Sequence, residues 1–91
     1  MAEYDQLRGQ LLGLLIALDG RLTADQSRFG HELLDHNELG LALEMVADWL
    51  AEDGTAISKE ERVSMLGLAF EMRLGDRVER TLDLCPVNDD R

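Results

Sequence analysis

The chain is short of cysteine, proline, aromatic residues and bases, and each shortage removes a class of function. Its one cysteine, Cys85, has no internal disulfide partner and cannot build a multi-cysteine zinc site. One proline and 4% aromatic residues leave out the turn and strand chemistry of a β-sandwich. The longest apolar run, residues 14–18, falls far short of the ~20 residues that span a bilayer. The opening MAEYDQL lacks the basic-then-apolar order of a signal peptide. Neither G-x-x-x-x-G-K-[ST] nor G-x-G-x-x-G occurs, so no glycine-rich phosphate cradle is expected. Nine Lys and Arg stand against 19 Asp and Glu, a formal charge of −10. That balance excludes nucleic acid as a direct ligand and an anionic membrane as a docking surface. If charge steers anything, it steers a basic partner. A soluble, cytoplasmic protein of a reducing compartment is the expectation.

What is present is enough to fold. The 91 residues make one domain, and a hydrophobic fraction of 45% supplies a core. Apolar spacing predicts helices nearly throughout, a compact all-α bundle of four to five short helices. In residues 2–18, Tyr4, Leu7, Leu11, Leu14 or Leu15, and Leu18 form a stripe that Leu12 and Ile16 broaden, so this helix is expected to be central and buried on most sides. Gly20 stops it. Thr23 and Gln26 form a capping box for a second helix anchored by Phe29 and by Leu33 or Leu34. After Asp35-His36-Asn37, a third helix over residues 38–52 carries Leu39, Leu43, Val46 and Leu50 at buried spacing, and Gly54 ends it. Ser58 with Glu61 caps a fourth, whose stripe reads Val63, Leu66, Phe70 and whose stop is Gly75. A short fifth segment, residues 76–84, offers Val78 and Leu82; Pro86 breaks it, and the core of about residues 2–84 gives way to a fraying polar tail over 85–91. Gly9, Gly13, Gly30, Gly40 and Gly67 fall inside helical patterns, where close helix–helix approach is the expected reason.

The charge is unevenly placed. Residues 38–53 carry Glu38, Glu44, Asp48, Glu52 and Asp53 with no base, a net of −5, half the chain's total. Residues 55–75 balance three bases against three acids. Glu44, Asp48 and Glu52 recur every four residues and form one row, flanked by Glu38 and Leu41, with nothing on the same helix to compensate them. Met45 and Trp49 border the row outside the buried stripe. Carboxylates edged by Trp, Met and Leu have the chemistry of a protein-binding face: charge for steering, apolar area for affinity. The candidate partner-binding residues are Asp35, Glu38, Leu41, Glu44, Met45, Asp48, Trp49 and Glu52. The alternative is a solvated acidic face with Trp49 packed under the first or fourth helix. Gly9-x-x-x-Gly13 and Trp49 could equally serve a homodimer, so the expected state is a monomer or weak dimer.

Catalytic readings are weaker. His31 and His36 are five apart and do not share a helical face as an i, i+4 ligand pair would. Cys85 has no fixed cation nearby to activate it. No metal, no cofactor and no catalytic residue is expected. Two rivals remain, a helical adaptor using the same acidic face and a small metal-dependent enzyme around His31, Glu32, Asp35 and His36.

The stretch Phe29-x-x-Glu32-Leu33-Leu34-Asp35-His36-Asn37-Glu38-Leu39-Gly40-Leu41-Ala42-Leu43-Glu44 resembles small helical immunity proteins of the MafI type, related to some CdiI proteins of contact-dependent inhibition systems. Ile57-Ser58 and Met72-Arg73-Leu74 match later elements of those families, and the likeness runs from about Leu7 to Leu84. It implies a non-enzymatic protein that neutralises a cognate toxin domain in the bacterial cytoplasm, often an EndoU-type or other ribonuclease, by covering its basic cleft. Because Glu44 belongs to the shared Ala-Leu-Glu element, the resemblance leaves it between two roles: holding the 35–37 corner, or meeting the toxin.

Overall fold

A computed structural model of the chain describes residues 2–88, with side chains from Asp5 onward. The side chain of Tyr4, assigned to the first stripe, and the 89–91 end of the tail lie outside the described residues. Five helices follow one another: α1 (Ala2–Ala17), α2 (Ala24–Asp35), α3 (Leu39–Glu52), α4 (Lys59–Glu71) and α5 (Arg77–Leu82). A 3₁₀ turn, Asp19–Arg21, joins α1 to α2, and β1 (Ile57–Ser58) pairs in parallel with β2 (Val87–Asn88). The fold is a small all-α domain with one short strand clip. Among the described residues no helix is long and apolar enough to cross a membrane.

Both expected capping boxes form. Thr23 Oγ1 accepts from the Gln26 N–H at 3.0 Å while Gln26 Oε1 accepts from the Thr23 N–H at 2.9 Å. Ser58 and Glu61 repeat the arrangement at 3.0 and 2.8 Å, satisfying donors that α4 would leave open. Three helices end on a left-handed residue, Asn37 (φ 61°), Gly54 (φ 62°) and Arg73 (φ 58°). After each, the next N–H turns back to a carbonyl of the last turn: Glu38 to Leu33 at 2.8 Å, Thr55 to Leu50 at 2.9 Å, Leu74 to Ala69 at 3.0 Å. The expected stop for α4 at Gly75 is therefore two residues late; Arg73 takes the left-handed position that ends the helix, and Gly75 (φ 70°) adopts a second one before α5.

α3 is the centre of the domain and packs against all four other helices. Its stripe of Leu39, Leu43, Val46 and Leu50 is buried as expected, with Ala42 and Ala47 added. α1 buries Leu11, Leu14 and Leu15, but Ile16 is 64% exposed and Leu12 also faces out, so this helix lies at the edge and not at the centre. The stripe expected for α4 is wrong. Val63 is 68% and Phe70 84% exposed; Met65, Leu68 and Ala69 face the core, with Leu66 half-buried.

The rotation of α4 has a physical cause. Arg21 donates to both carboxylate oxygens of Glu61, at 2.8 and 2.5 Å, and reaches the Ala56 and Ala17 carbonyls at 3.3 and 3.1 Å. Glu61, Met65, Leu68 and Met72 share one helical face, so fixing Glu61 against the 3₁₀ turn brings that face inward. The Arg21 hydrogen bonds hold the Glu61 carboxyl below the usual carboxylate range, helped by the Ser58 N–H against some desolvation. On the other flank Arg62 reaches Asp83 at 2.7 Å.

The tail is also corrected. Cys85 is buried in the core, and residues 87 and 88 pair with Ile57 and Ser58 instead of fraying. Ile57, fully buried, donates its N–H to the Pro86 carbonyl at 3.0 Å. α5 already ends at Leu82, before the expected break at Pro86, and the proline carbonyl serves as an acceptor for the strand.

Two of the five helical glycines sit at a close approach. A Cβ on Gly30 would lie 3.2 Å from Leu15 Cδ2, and one on Gly40 would lie 3.1 Å from Leu74 Cδ2. At Gly9, Gly13 and Gly67 a Cβ would meet nothing within 4 Å, so close packing within the chain does not explain them.

Candidate functional site

Because α2 and α5 cover its two flanks, α3 shows solvent only a narrow outer strip. Leu41, Met45, Asp48 and Glu52 fall along that strip at i, i+4, i+7 and i+11. On the α5 flank, the Arg77 guanidinium reaches Glu44 Oε1 at 2.9 Å through one nitrogen and Asp48 Oδ2 at 2.7 Å through the other. One cation thus bridges two members of the acidic row, and the row is not uncompensated. Its counter-charge comes from 29 and 33 residues along the chain, beyond the reach of a search confined to one helix. Glu44 therefore faces α5 and does not hold the 35–37 corner. That corner is held by the left-handed Asn37, the Glu38 N–H and a hydrogen bond from Arg8 to Asn37 Oδ1.

The α2 flank is aromatic. Trp49 is half-buried, and its ring meets Phe29 edge-on, with centroids 6.1 Å apart and planes at 60°. Such edge-to-face pairs add about 0.5–1.5 kcal/mol beyond their buried area. Phe29 is nevertheless 41% exposed, and Leu41 on the same side of the molecule is 44% exposed. Together with half-buried Met45 they give α2 and α3 an apolar edge that reaches solvent. Phe29, expected to anchor the core, is the residue that sequence reasoning misplaced. Its exposed neighbours on the α2 wheel, Asp25, Arg28 and Glu32, were the available signal that this side faces out.

Carboxylates without an ion-pair partner among the described residues border this edge. Glu38 occupies the N-cap position of α3 without capping it through its side chain, and Asp35 closes α2 beside it. Glu32, Glu52 and Asp53 are exposed as well. Glu52 and Asp53 lie at the carbonyl end of α3, whose last turn contains no base, so their charge adds to the negative pole of the helix dipole. The structure brings Leu41, Met45, Asp48, Trp49 and Glu52 onto one outer surface and sets Asp35 and Glu38 at its start; Glu44 is turned aside.

Other chemistry is sparse among the described residues. No three His, Cys, Asp or Glu side chains converge where they could hold a metal ion. His31 is half-buried and His36 caps the end of α2 through its backbone N–H. Burial pushes the Cys85 thiol up, partly opposed by Arg62, which keeps it protonated at neutral pH and a poor nucleophile. Comparison with known proteins returns no matching family model, no matching curated protein and no matching solved structure.

Proposed function

We propose that the chain is an immunity protein that binds and neutralises a basic toxin domain, a ribonuclease of the EndoU type or another class, through the outer α2 and α3 surface. One observation carries this reading. An apolar edge of exposed Phe29 and Leu41 with half-buried Trp49 and Met45 is bordered by Glu32, Asp35, Glu38, Glu52 and Asp53, carboxylates that pair with no cation among the described residues. A ribonuclease presents Lys and Arg to RNA phosphates. Carboxylates on a rigid helix can occupy those positions, speed encounter and exclude the substrate. Aromatic residues at the centre of the contact then slow dissociation. The toxin class follows from the MafI-type resemblance. The basic character of the partner follows from the charge. The protein acts in the cytoplasm, where it protects the cell that makes the toxin.

The test is co-expression with the product of the adjacent gene, followed by purification of the complex and assay of RNA cleavage. A complex without cleavage activity is the expected result; a neighbour that is not bound, or that stays active when bound, sinks the reading. Within a complex, Glu38→Lys with Glu52→Lys should slow association by about tenfold at low salt and flatten its salt dependence. Trp49→Ala should instead act on dissociation, by about tenfold or more. If neither variant changes binding, the contact lies on another surface.

A further inference from the structure

Phe29 and Trp49 meet edge-on across the boundary of α2 and α3, and the contact covers neither ring completely. Phe29 stays exposed and Trp49 half-buried. An aromatic face is negative, so a ring left at the surface attracts a cation as well as apolar contact. Neither helix supplies one. Residues 38–53 contain no base, and the single arginine of α2, Arg28, donates to Asp25 at 3.0 Å. Met45, half-buried and one turn before Trp49, extends the apolar floor toward the 36–38 corner.

A carboxylate stands beside each ring. Glu32 is three residues after Phe29 on α2, and Glu52 is three residues after Trp49 on α3, a spacing that makes each pair neighbours on the helix surface. Both carboxylates are exposed, and neither forms an ion pair among the described residues. Because the chain folds back at the corner, three residues onward leads toward the corner on α2 and away from it on α3. Glu32 and Glu52 therefore flank the aromatic pair from opposite ends. The other two carboxylates of the α3 row, Glu44 and Asp48, are already held by Arg77. A guanidinium suits this setting better than an ammonium. Its plane lies flat on a ring, its edge N–H groups reach a carboxylate, and its weaker hydration makes the contact less costly.

We propose that Phe29 and Trp49 form the seat for an arginine side chain of the partner protein, stacked on the rings between the Glu32 and Glu52 carboxylates. The inference rests on the reading of this surface as the face for a basic protein, and it names the side chain recognised there: arginine in preference to lysine. The positive charge of the partner brings it to the surface; the planar group decides what stays.

The experiment titrates the full chain with two probes of equal charge, acetylated and amidated hexaarginine and hexalysine, at one ionic strength. Affinity is read by calorimetry. Trp49 is the chain's one tryptophan, so its emission reports the seat without a label. Hexaarginine should bind about threefold to tenfold more tightly than hexalysine and shift the Trp49 emission, which hexalysine should leave nearly unchanged. Phe29→Leu, at an exposed position and with melting checked by circular dichroism, should bring the ratio of the two affinities below about twofold. Glu32→Gln and Glu52→Gln should each weaken hexaarginine by about twofold more than hexalysine. Asp35→Asn with Glu38→Gln, at the start of the surface, should weaken both peptides alike. Equal affinities for the two peptides overturn the arginine seat, as does a preference that survives Phe29→Leu. A chain that discriminates between the peptides but leaves the product of the adjacent gene unbound upholds the seat and removes the immunity reading. A chain that silences that product yet treats the peptides alike keeps the immunity reading and removes the seat.

Discussion

The outer strip of α3 and the outer face of α1 and α4 are both solvent-facing helical surfaces, yet they are built on opposite terms. On α3 the flanks are occupied: Arg77 bridges Glu44 and Asp48, Leu74 packs over Gly40, and Phe29 meets Trp49 edge-on. Across the α1 and α4 face the glycines meet nothing, the large apolar side chains point outward, and Lys59, Glu60 and Glu71 have no ion-pair partner among the described residues. The most charged helix is thus the best secured, while the nearly neutral pair holds the larger unsatisfied apolar area. Net charge locates the source of a long-range field. It does not locate the surface with most to gain from contact, which depends on what the rest of the chain already covers.

Removing the core beneath α3 should have the largest effect. Leu43→Ala empties a fully buried position at the centre of the bundle and should cost about 3 kcal/mol in urea denaturation. Phe70→Ala, at an exposed position, should stay within about 0.5 kcal/mol of wild type. Equal costs would erase the distinction between a secured helix and an open face.

The next effect falls where α1 and α4 are joined. Glu61→Ala removes half of a capping box and both Arg21 hydrogen bonds, and should cost about 2 kcal/mol. The folded-state value of Glu61 lies below its ordinary 4.5, so its stabilisation is complete above that pH and is lost as pH falls through the folded value. Denaturation midpoints of wild type and Glu61→Gln should therefore converge in acid and separate toward neutrality.

Smaller still is the response to filling glycines. Gly13→Ala and Gly67→Ala should each stabilise the monomer by up to about 1 kcal/mol through helix propensity alone. Gly30→Ala and Gly40→Ala should gain less or lose, because Leu15 and Leu74 must give way at 3.2 and 3.1 Å. Thermal melting of the four variants would invert the comparison if Gly40→Ala gained most. Least of all in stability, Arg77→Ala should change the folding free energy by less than about 1 kcal/mol. It releases two carboxylates on the α3 flank, and its expected signature is faster association with a basic partner at low salt, read by stopped flow.

The helices and their caps were readable in the sequence because their determinants are local. Thr23 with Gln26 and Ser58 with Glu61 act over three residues, and the α3 stripe repeats over three turns. The rotation of α4 was not readable. Val63, Leu66 and Phe70 are as regular a stripe as Glu61, Met65 and Leu68, and the choice between them is made by an arginine 40 residues away. The same distance problem hid Arg77 from the acidic row and β2 from Ile57. Of the candidate site, the outer surface of α3 was legible from spacing alone. Its aromatic extension through Phe29 was not, because the packing angle of α2 on α3 decides whether that ring anchors the core or borders solvent.

The single cysteine, noted at first for the disulfides it excludes, has a use that follows from where it sits. Cys85 lies between the end of α5 and the strand that pairs with Ile57, buried and protonated. A thiol reagent can reach it only when this joint opens, so the alkylation rate under native conditions counts those openings. Compared with the rate in denaturant, it yields the free energy of unlatching the clip without any added probe. The chain therefore holds one chemical clock, at the seam where its last helix is fastened to its fourth.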